Sequence, residues 1–90
     1  MPFYKEKHAT LDSSEYADNI EIPITLTEPC KIISLRNRSL TIPVSVTISG
    51  ITTTVNPDET LKDYYEKFKF NSLLLETELG HDFVLELYKD

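Results

Sequence analysis

The chain has 90 residues, of which 40% are hydrophobic and 27% are charged, and its net charge is −6. This length predicts one domain with a modest core, and the composition excludes a disordered chain. The acidic balance argues against general binding to nucleic acid, because lysine and arginine supply the contacts to phosphate. No stretch approaches the roughly 18 apolar residues of a membrane span, so we expect no membrane association.

The chemistry-bearing residues are few. Cys30 is the single cysteine, so an internal disulfide and a multi-cysteine zinc site are both excluded. Neither His8 nor His81 falls in a catalytic or metal-binding motif, and His81 lies beside Asp82 in a predicted turn. We therefore expect no enzyme activity, no metal and no cofactor. The first ten residues lack the apolar run of a secretory signal, which predicts a cytoplasmic location.

Charge is distributed unevenly along the chain. Residues 1–28 carry two lysines and six acids, and residues 58–90 carry four lysines and nine acids. The segment between them, residues 29–57, has no acid and contains Lys31, Arg36 and Arg38. We predict that this basic island meets acidic groups on a partner or on a second copy of the chain. The alternative is that it neutralises the protein's own acidic strands through weak surface ion pairs.

The N-terminal third predicts an arm and two short strands. Residues 1–19 have no apolar period, and we predict a loosely held arm with a helical turn at residues 12–16. The single domain then covers residues 20–90. Residues 20–27 alternate apolar and polar side chains, and residues 30–35 are a second candidate strand. Pro23 cannot donate to a ladder, so it predicts an edge strand or a bulge.

The middle of the chain predicts a hairpin. Residues 40–48 alternate apolar and polar side chains without interruption, with Pro43 at an edge or at the strand's entrance. Ser49 and Gly50 form a candidate two-residue turn. This turn sets the apolar faces of the two strands against each other, so turn and pattern agree on the register. The predicted pairs are Ile48 with Ile51, Val46 with Thr53 and Val44 with Val55.

A helix is predicted from about Pro57 to Lys69. Asn56 is a candidate N-cap, Pro57 occupies the first helical position and Glu59 the third. Four apolar residues then follow at i, i+3, i+4 and i+7, which is the pattern of one buried helical stripe. These residues are Leu61, Tyr64, Tyr65 and Phe68.

The C-terminal segments predict a second hairpin, around Gly80, His81 and Asp82. A three-residue loop sets the leucines of the two strands against each other. The same register places Glu76 directly opposite Glu86, and facing like charges cost stability. The face that carries this conflict also contains Leu74, Glu78, Val84 and Tyr88. We predict that this mixed acidic and apolar face docks a basic partner, with Tyr88 as an anchor. The alternative is that the N-terminal strands cover it.

Together these elements predict an α+β fold. Residues 40–90 form a ββαββ core with one helix on a mixed sheet, and the two N-terminal strands extend the sheet or form a second layer. The turn, cap and helix pattern of "SVTISGITTTVNPDETLKDYYEKF" resembles the β-grasp layout of ubiquitin-like domains. The resemblance is one of topology and covers about half the chain. The chain ends in "LELYKD" rather than in a diglycine tail, so conjugation is not implied.

The function expected from these features is a small non-enzymatic module that binds a partner protein. It would bind through a sheet edge or through the mixed acidic and apolar face, and identical chains could associate through their basic and acidic faces. Two alternatives stay open. One is an acidic decoy, of the kind some viral and phage proteins use to occupy a nucleic-acid-binding protein. The other is a structural subunit of a larger assembly.

Overall fold

The computed structural model describes residues 6–89. This part of the chain forms six strands and a four-residue 3-10 turn at Ser13–Tyr16. The strands are β1 (Lys7–Asp12), β2 (Glu21–Asn37), β3 (Val44–Ile48), β4 (Ile51–Val55), β5 (Thr60–Glu76) and β6 (Phe83–Tyr88). None of the described residues belongs to a helix of seven or more residues, or to one able to cross a membrane.

The six strands form one antiparallel sheet in the order β1-β6-β2-β5-β3-β4. The two long strands, β2 and β5, have 17 residues each and run side by side at its centre. The first half of β2 pairs with β5, and the second half pairs with both β5 and β6. The two N-terminal strands predicted from sequence are therefore one continuous strand. Pro23 lies in the half of β2 that pairs with β5 alone, which confirms the predicted edge position.

The sheet bends sharply near the middle of its two long strands. Cys30 pairs with Phe70, and the register is irregular on both sides of this pair. On one side of it, four residues of β2, 26–29, lie opposite a single residue of β5, Asn71. On the other side, four residues of β5, 66–69, lie opposite a single residue of β2, Lys31. Extra residues on alternate strands bend a ladder and increase its twist. The bend folds one half of the sheet over the other.

A narrow, mainly apolar seam shows that the two halves face each other. The β3–β4 hairpin lines one side with Val46, Ile48, Ile51 and Thr53, and the other side is lined by Ile33, Leu61, Tyr64 and Glu66. The fully buried side chains come from both halves, so the sheet encloses its own core as a sandwich does. The largest of them are Phe83, Ile22, Ile32, Ile33, Leu35, Leu75, Leu85 and Leu87.

The predicted α+β fold, with its β-grasp-like ββαββ core over residues 40–90, is wrong, because residues 60–76 form strand β5 instead of a helix and loop. The capping signal itself is real. The Asn56 N–H donates to Glu59 Oε1 at 3.2 Å, and the Glu59 N–H donates to the Asn56 carbonyl at 3.1 Å. The first bond is one half of a capping box, whereas the second closes a turn, because its acceptor is the backbone carbonyl of Asn56 and not the side chain. Asp58 has a φ of 60°, which directs the chain out of a helical path.

Pairing with β2 explains why a strand forms where a helix was predicted. Tyrosine and phenylalanine favour strands as well as apolar helix faces, and a buried β2 needs a hydrogen-bonded neighbour. Leu61 and Tyr64 would lie on opposite faces of a regular strand, yet both pack on the core. Asp63, with a φ of 50°, is the extra residue of a bulge that brings them to one face. Tyr65 and Phe68 consequently face solvent.

The predicted hairpin at Ser49 and Gly50 is confirmed. Both turn residues have positive φ, 52° and 80°, as a two-residue turn between twisted strands requires. Pro43 precedes β3 at its entrance. All three predicted pairs, Ile48 with Ile51, Val46 with Thr53 and Val44 with Val55, are present.

The predicted C-terminal hairpin is wrong, because β5 and β6 lie on opposite sides of β2 and do not pair. The loop between them runs from the start of β2, where Glu76 lies opposite Glu21, to the end of β2, where Phe83 lies opposite Asn37. Part of the arm predicted at residues 1–19 lies within the sheet, because β1 pairs with β6. The helical turn predicted at residues 12–16 is present as the 3-10 turn. Asp12 caps this turn by accepting a hydrogen bond from the Ser14 N–H at 3.0 Å. Residues 1–5 lie outside the described part of the chain.

Candidate interaction surface

The strand β4 is an edge of the sheet, with β3 as its one neighbour among the described residues. The pairs beside a two-residue turn exchange both backbone hydrogen bonds, and bonded and non-bonded pairs alternate from there. Thr53 and Val55 therefore bond to β3, whereas Thr52 and Thr54 direct their backbone N–H and C=O groups away from it. The free edge of β4 thus presents two donors and two acceptors in strand geometry.

Nothing in the sequence of β4 protects this edge. Natural edge strands are usually blunted by lysine, proline, a bulge or an inward-facing charge. β4 reads ITTTV, pairs with β3 without a bulge, and belongs to a run from residue 39 to residue 57 that contains no charged side chain. Ile51, at the start of the strand, is 63% exposed. β4 is therefore suited to accept another strand.

The opposite edge, β1, is protected. It carries Lys7, His8 and Asp12, and its pairing with β6 is interrupted by a bulge between Lys7 and Ala9. The side chain of Lys7 is held by Glu86 at 2.8 Å, and this hydrogen bond raises the pKa of the lysine. Charges and a bulge are the usual devices against strand addition. The first half of β2 and residues 60–73 of β5 also lack a partner on one side, but they carry prolines or charged side chains. Among the free edges of the described strands, β4 is therefore the one without such protection.

The acidic and apolar residues predicted to form one patch lie in two places. Val84, Glu86 and Tyr88 are on β6, beside β1 and β2. Leu74 and Glu76 are on β5, beside β3 and the first half of β2, and Glu78 follows in the loop. The predicted pairing of Glu76 with Glu86 is wrong, because β2 separates their strands. The structure therefore does not bring the six residues together as a single surface.

Glu76 does face a like charge, but on another strand. It lies directly opposite Glu21 of β2, and both residues are exposed. On its other side Glu76 lies opposite Ser45 of β3. The conflict inferred from the sequence exists at this position with Glu21 in place of Glu86. Glu86 itself is neighboured by Lys7 and by the Tyr88 hydroxyl, which donates to it at 2.9 Å.

The three residues of the basic island also separate. Lys31 lies at the bend, with its ammonium group 5.8 Å from the centre of the Tyr65 ring. Arg36 is exposed on β2, opposite Val84 on one side and Thr60 on the other. Arg38 binds Asp82 at 2.8 Å and lies 3.5 Å from Asp12, which ties the end of β2 to the β6 loop and to β1.

Among the described residues no group of three or more His, Cys, Asp or Glu side chains is placed to hold a metal ion. A cavity of about 200 Å³ lies at the end of β4, lined by Thr54, Val55, Glu59, Thr60 and Leu61. Its lining offers one carboxylate, two hydroxyls and aliphatic carbon.

Cys30 is fully buried, and this burial raises the pKa of its thiol. The His81 ring is also buried, with Nε2 bonded to the carbonyls of Tyr16 and Asn19.

Sequence reasoning did not select β4 as a surface. The sequence feature that could have indicated it is the uncharged run of β-branched residues after Ser49 and Gly50. A strand without charge or proline is open to pairing with another strand wherever it forms an edge. No protein-family model, curated protein or solved structure matches this chain.

Proposed function

We propose that this protein is a small, non-enzymatic interaction module that binds a partner protein along the free edge of β4. The observation that carries the proposal is the contrast between the two edges: β1 has charges and a bulge, whereas β4 has neither. Strand addition to such an edge takes its affinity from backbone hydrogen bonds and its specificity from alternate side chains. Ile51, Thr52 and Thr54 are the exposed side chains that would supply the specificity.

A cytoplasmic location belongs to the same proposal. Its support is the cysteine content: with Cys30 as its single cysteine, the chain lacks the internal disulfides typical of small domains in oxidising compartments. The mixed acidic and apolar residues of the sheet faces are secondary contacts in this proposal. Leu74 and Glu76 are nearest to β4, because β3 is the strand that lies between β5 and β4.

The test is an affinity capture from the native source with three forms of the protein. Thr54→Pro removes an outward N–H and fills the edge with a ring, whereas Thr54→Val removes the hydroxyl and keeps the backbone group. A partner of the edge is captured by the parent and by Thr54→Val, and is lost with Thr54→Pro.

Salt separates this function from the acidic decoy. A bound strand keeps most of its affinity at high salt, whereas a decoy bound to a basic nucleic-acid site is released. The proposal would be contradicted if the parent, Thr54→Val and Thr54→Pro all captured the same proteins. It would also be contradicted if the captured partner were released in high salt. Equal melting temperatures of the three forms, measured beforehand, show that Thr54→Pro has not simply unfolded the hairpin.

A further inference from the structure

We infer that the partner of β4 is a second copy of this chain, paired antiparallel about a two-fold axis that passes through Thr53. This inference rests on the proposed function and names the occupant of the same edge. A two-fold dimer requires a surface that is complementary to itself. The strand β4 meets this requirement in its backbone groups, its side chains and its lack of charge.

The backbone fixes the register. Outward groups must meet outward groups, so Thr52 and Thr54 of one copy can pair only with Thr52 or Thr54 of the other. With the axis at Thr53, Thr52 pairs with Thr54 of the second copy and Thr54 with its Thr52, so every outward group is used. With the axis at Thr52, Thr54 would face Gly50 in the turn. The axis at Thr53 is therefore the register that uses the whole edge.

The hydroxyl side chains of the outer face agree with this register. On the outer face, hydroxyls already pair between β3 and β4: Thr47 with Thr52 at 2.8 Å and Ser45 with Thr54 at 3.1 Å. The dimer extends this row of hydroxyls across the axis, because Thr52 and Thr54 lie opposite each other. On the inner face, Ile51, which is 63% exposed, lies opposite Val55 of the second copy, which is buried in its own chain.

Charge explains why a second copy can approach an acidic protein at this edge. Each chain carries a net charge of −6, so most encounters between two copies are repulsive. The proposed register places Asn56 and Pro57 beside Gly50 and Ser49 of the second copy. All of these residues belong to the uncharged run from 39 to 57, so the paired strands themselves contain no carboxylate. Glu59 and Glu66 are the carboxylates that line the cavity and the seam beside β4.

Pairing of β4 with β1 of another copy is the competing form of self-association. It is a head-to-tail contact, which builds open fibres unless its rotation closes a ring. The charges and the bulge of β1 oppose it. A closed dimer through β4 is therefore the form that the two edges favour.

Disulfide trapping of the purified protein tests the register. Thr53 forms a non-bonded pair with itself across the proposed axis, where Cα atoms lie about 4.5 Å apart, within the range that a disulfide accepts. Thr53→Cys should give a covalent dimer under mild oxidation, and Thr54→Cys, which faces Thr52, should give far less. The parent protein is the control for Cys30, which is buried.

Sedimentation equilibrium of the unmodified protein provides the second measurement. The mean mass should rise with concentration from 10.4 kDa toward twice this value, and Thr54→Pro should remain at the monomer mass where Thr54→Val does not. A parent protein that stays monomeric at submillimolar concentration overturns the inference, whether or not the cysteine variants fold. So does a trapped dimer that forms equally well in the Thr53→Cys and Thr54→Cys variants.

The two proposals fail in different ways. If the parent is monomeric and captures a partner that Thr54→Pro does not capture, dimerisation through β4 is wrong, but binding of a partner at the β4 edge is still supported. A dimer whose mass is unchanged by Thr54→Pro, with captured proteins also unchanged, overturns both.

Discussion

The buried amide of Asn37 joins three segments of the fold. Its Nδ2 donates to the carbonyls of Ile42 at 2.8 Å, Val55 at 3.1 Å and Asn56 at 3.3 Å. Its Oδ1 accepts from the Ser39 N–H at 3.1 Å. The residue thus holds the end of β4 against the end of β2, although the two strands are far apart in the sheet.

We expect Asn37→Ala to lower the free energy of unfolding by roughly 2–4 kcal/mol, because it leaves buried carbonyls without a donor. Chemical denaturation of both proteins measures the difference. The control is Asn71→Ala, at an exposed position of β5. A loss no larger than that of the control would show that water replaces the amide at no cost.

Asp12 links stability to pH. The backbone N–H of Ser14 lowers the pKa of this carboxyl below its ordinary value, and Arg38 contributes in the same direction. A carboxyl whose pKa is lowered by folding adds stability above its unfolded pKa, and this stability is lost as the pH falls through the folded pKa. We expect Asp12→Asn to melt at a lower temperature than the parent at pH 7, and the difference to shrink below about pH 4. A difference that is constant from pH 7 to about pH 2 would contradict this account.

The opposed carboxylates of Glu21 and Glu76 predict a stabilising substitution. Replacing Glu76 with lysine converts a like-charge pair into an opposite-charge pair, and we expect a gain of roughly 0.2–1 kcal/mol. The matched control is Glu78→Lys, which makes the same change of charge in the loop. Equal shifts for both variants would assign the gain to net charge rather than to the pair.

At the scale of the elements, β5 shows what a local pattern can and cannot predict. The capping residues around Asn56 and the apolar spacing from Leu61 to Phe68 fit a helix, and one capping bond, from the Asn56 N–H to the Glu59 side chain, does form. What replaces the helix is pairing with β2, a segment more than 20 residues earlier in the chain. Long-range pairing overrides the local preference for a helix. The pattern of a single sequence does not show which distant strands pair.

Two phenylalanines of β5 distinguish the strand from the predicted helix. Phe68 is 75% exposed, whereas Phe70 is 4% exposed and lies opposite Cys30. We expect Phe70→Ala to cost roughly 3–5 kcal/mol and Phe68→Ala less than about 1 kcal/mol. Thermal or chemical denaturation compares them. The helix would reverse this order, because Phe68 belongs to its buried stripe.

The hairpin of β3 and β4 was predictable because its determinants are local. A Ser-Gly turn and an uninterrupted alternation agree on one register, and no distant segment is needed to choose it. The C-terminal pairing failed for the opposite reason. The leucines of β5 and β6 match each other, but they also match β2, which lies between them. Which of two apolar faces a strand meets depends on the order of strands in the whole sheet.

At the scale of the whole molecule, the bend in β2 and β5 decides which edges are free. It places the β3–β4 hairpin over the other half of the sheet, so the apolar faces of both halves are enclosed. Among the strand edges that stay unpaired, β4 is the one without charge, proline or a bulge. The surface predicted from the sequence depended on the pairing of Glu76 with Glu86, and β2 lies between their strands.

The most direct test of the β4 edge is amide hydrogen exchange, resolved residue by residue by NMR. In dilute solution the amides of Thr52 and Thr54 should exchange much faster than those of Thr53 and Val55, which bond to β3. At high concentration, or with a captured partner, the Thr52 and Thr54 amides should become protected from exchange. In the Thr54→Val variant, the amide of Thr52 should still become protected under these conditions. Exchange at Thr52 and Thr54 that stays fast in every condition would contradict the claim that β4 is where this protein binds.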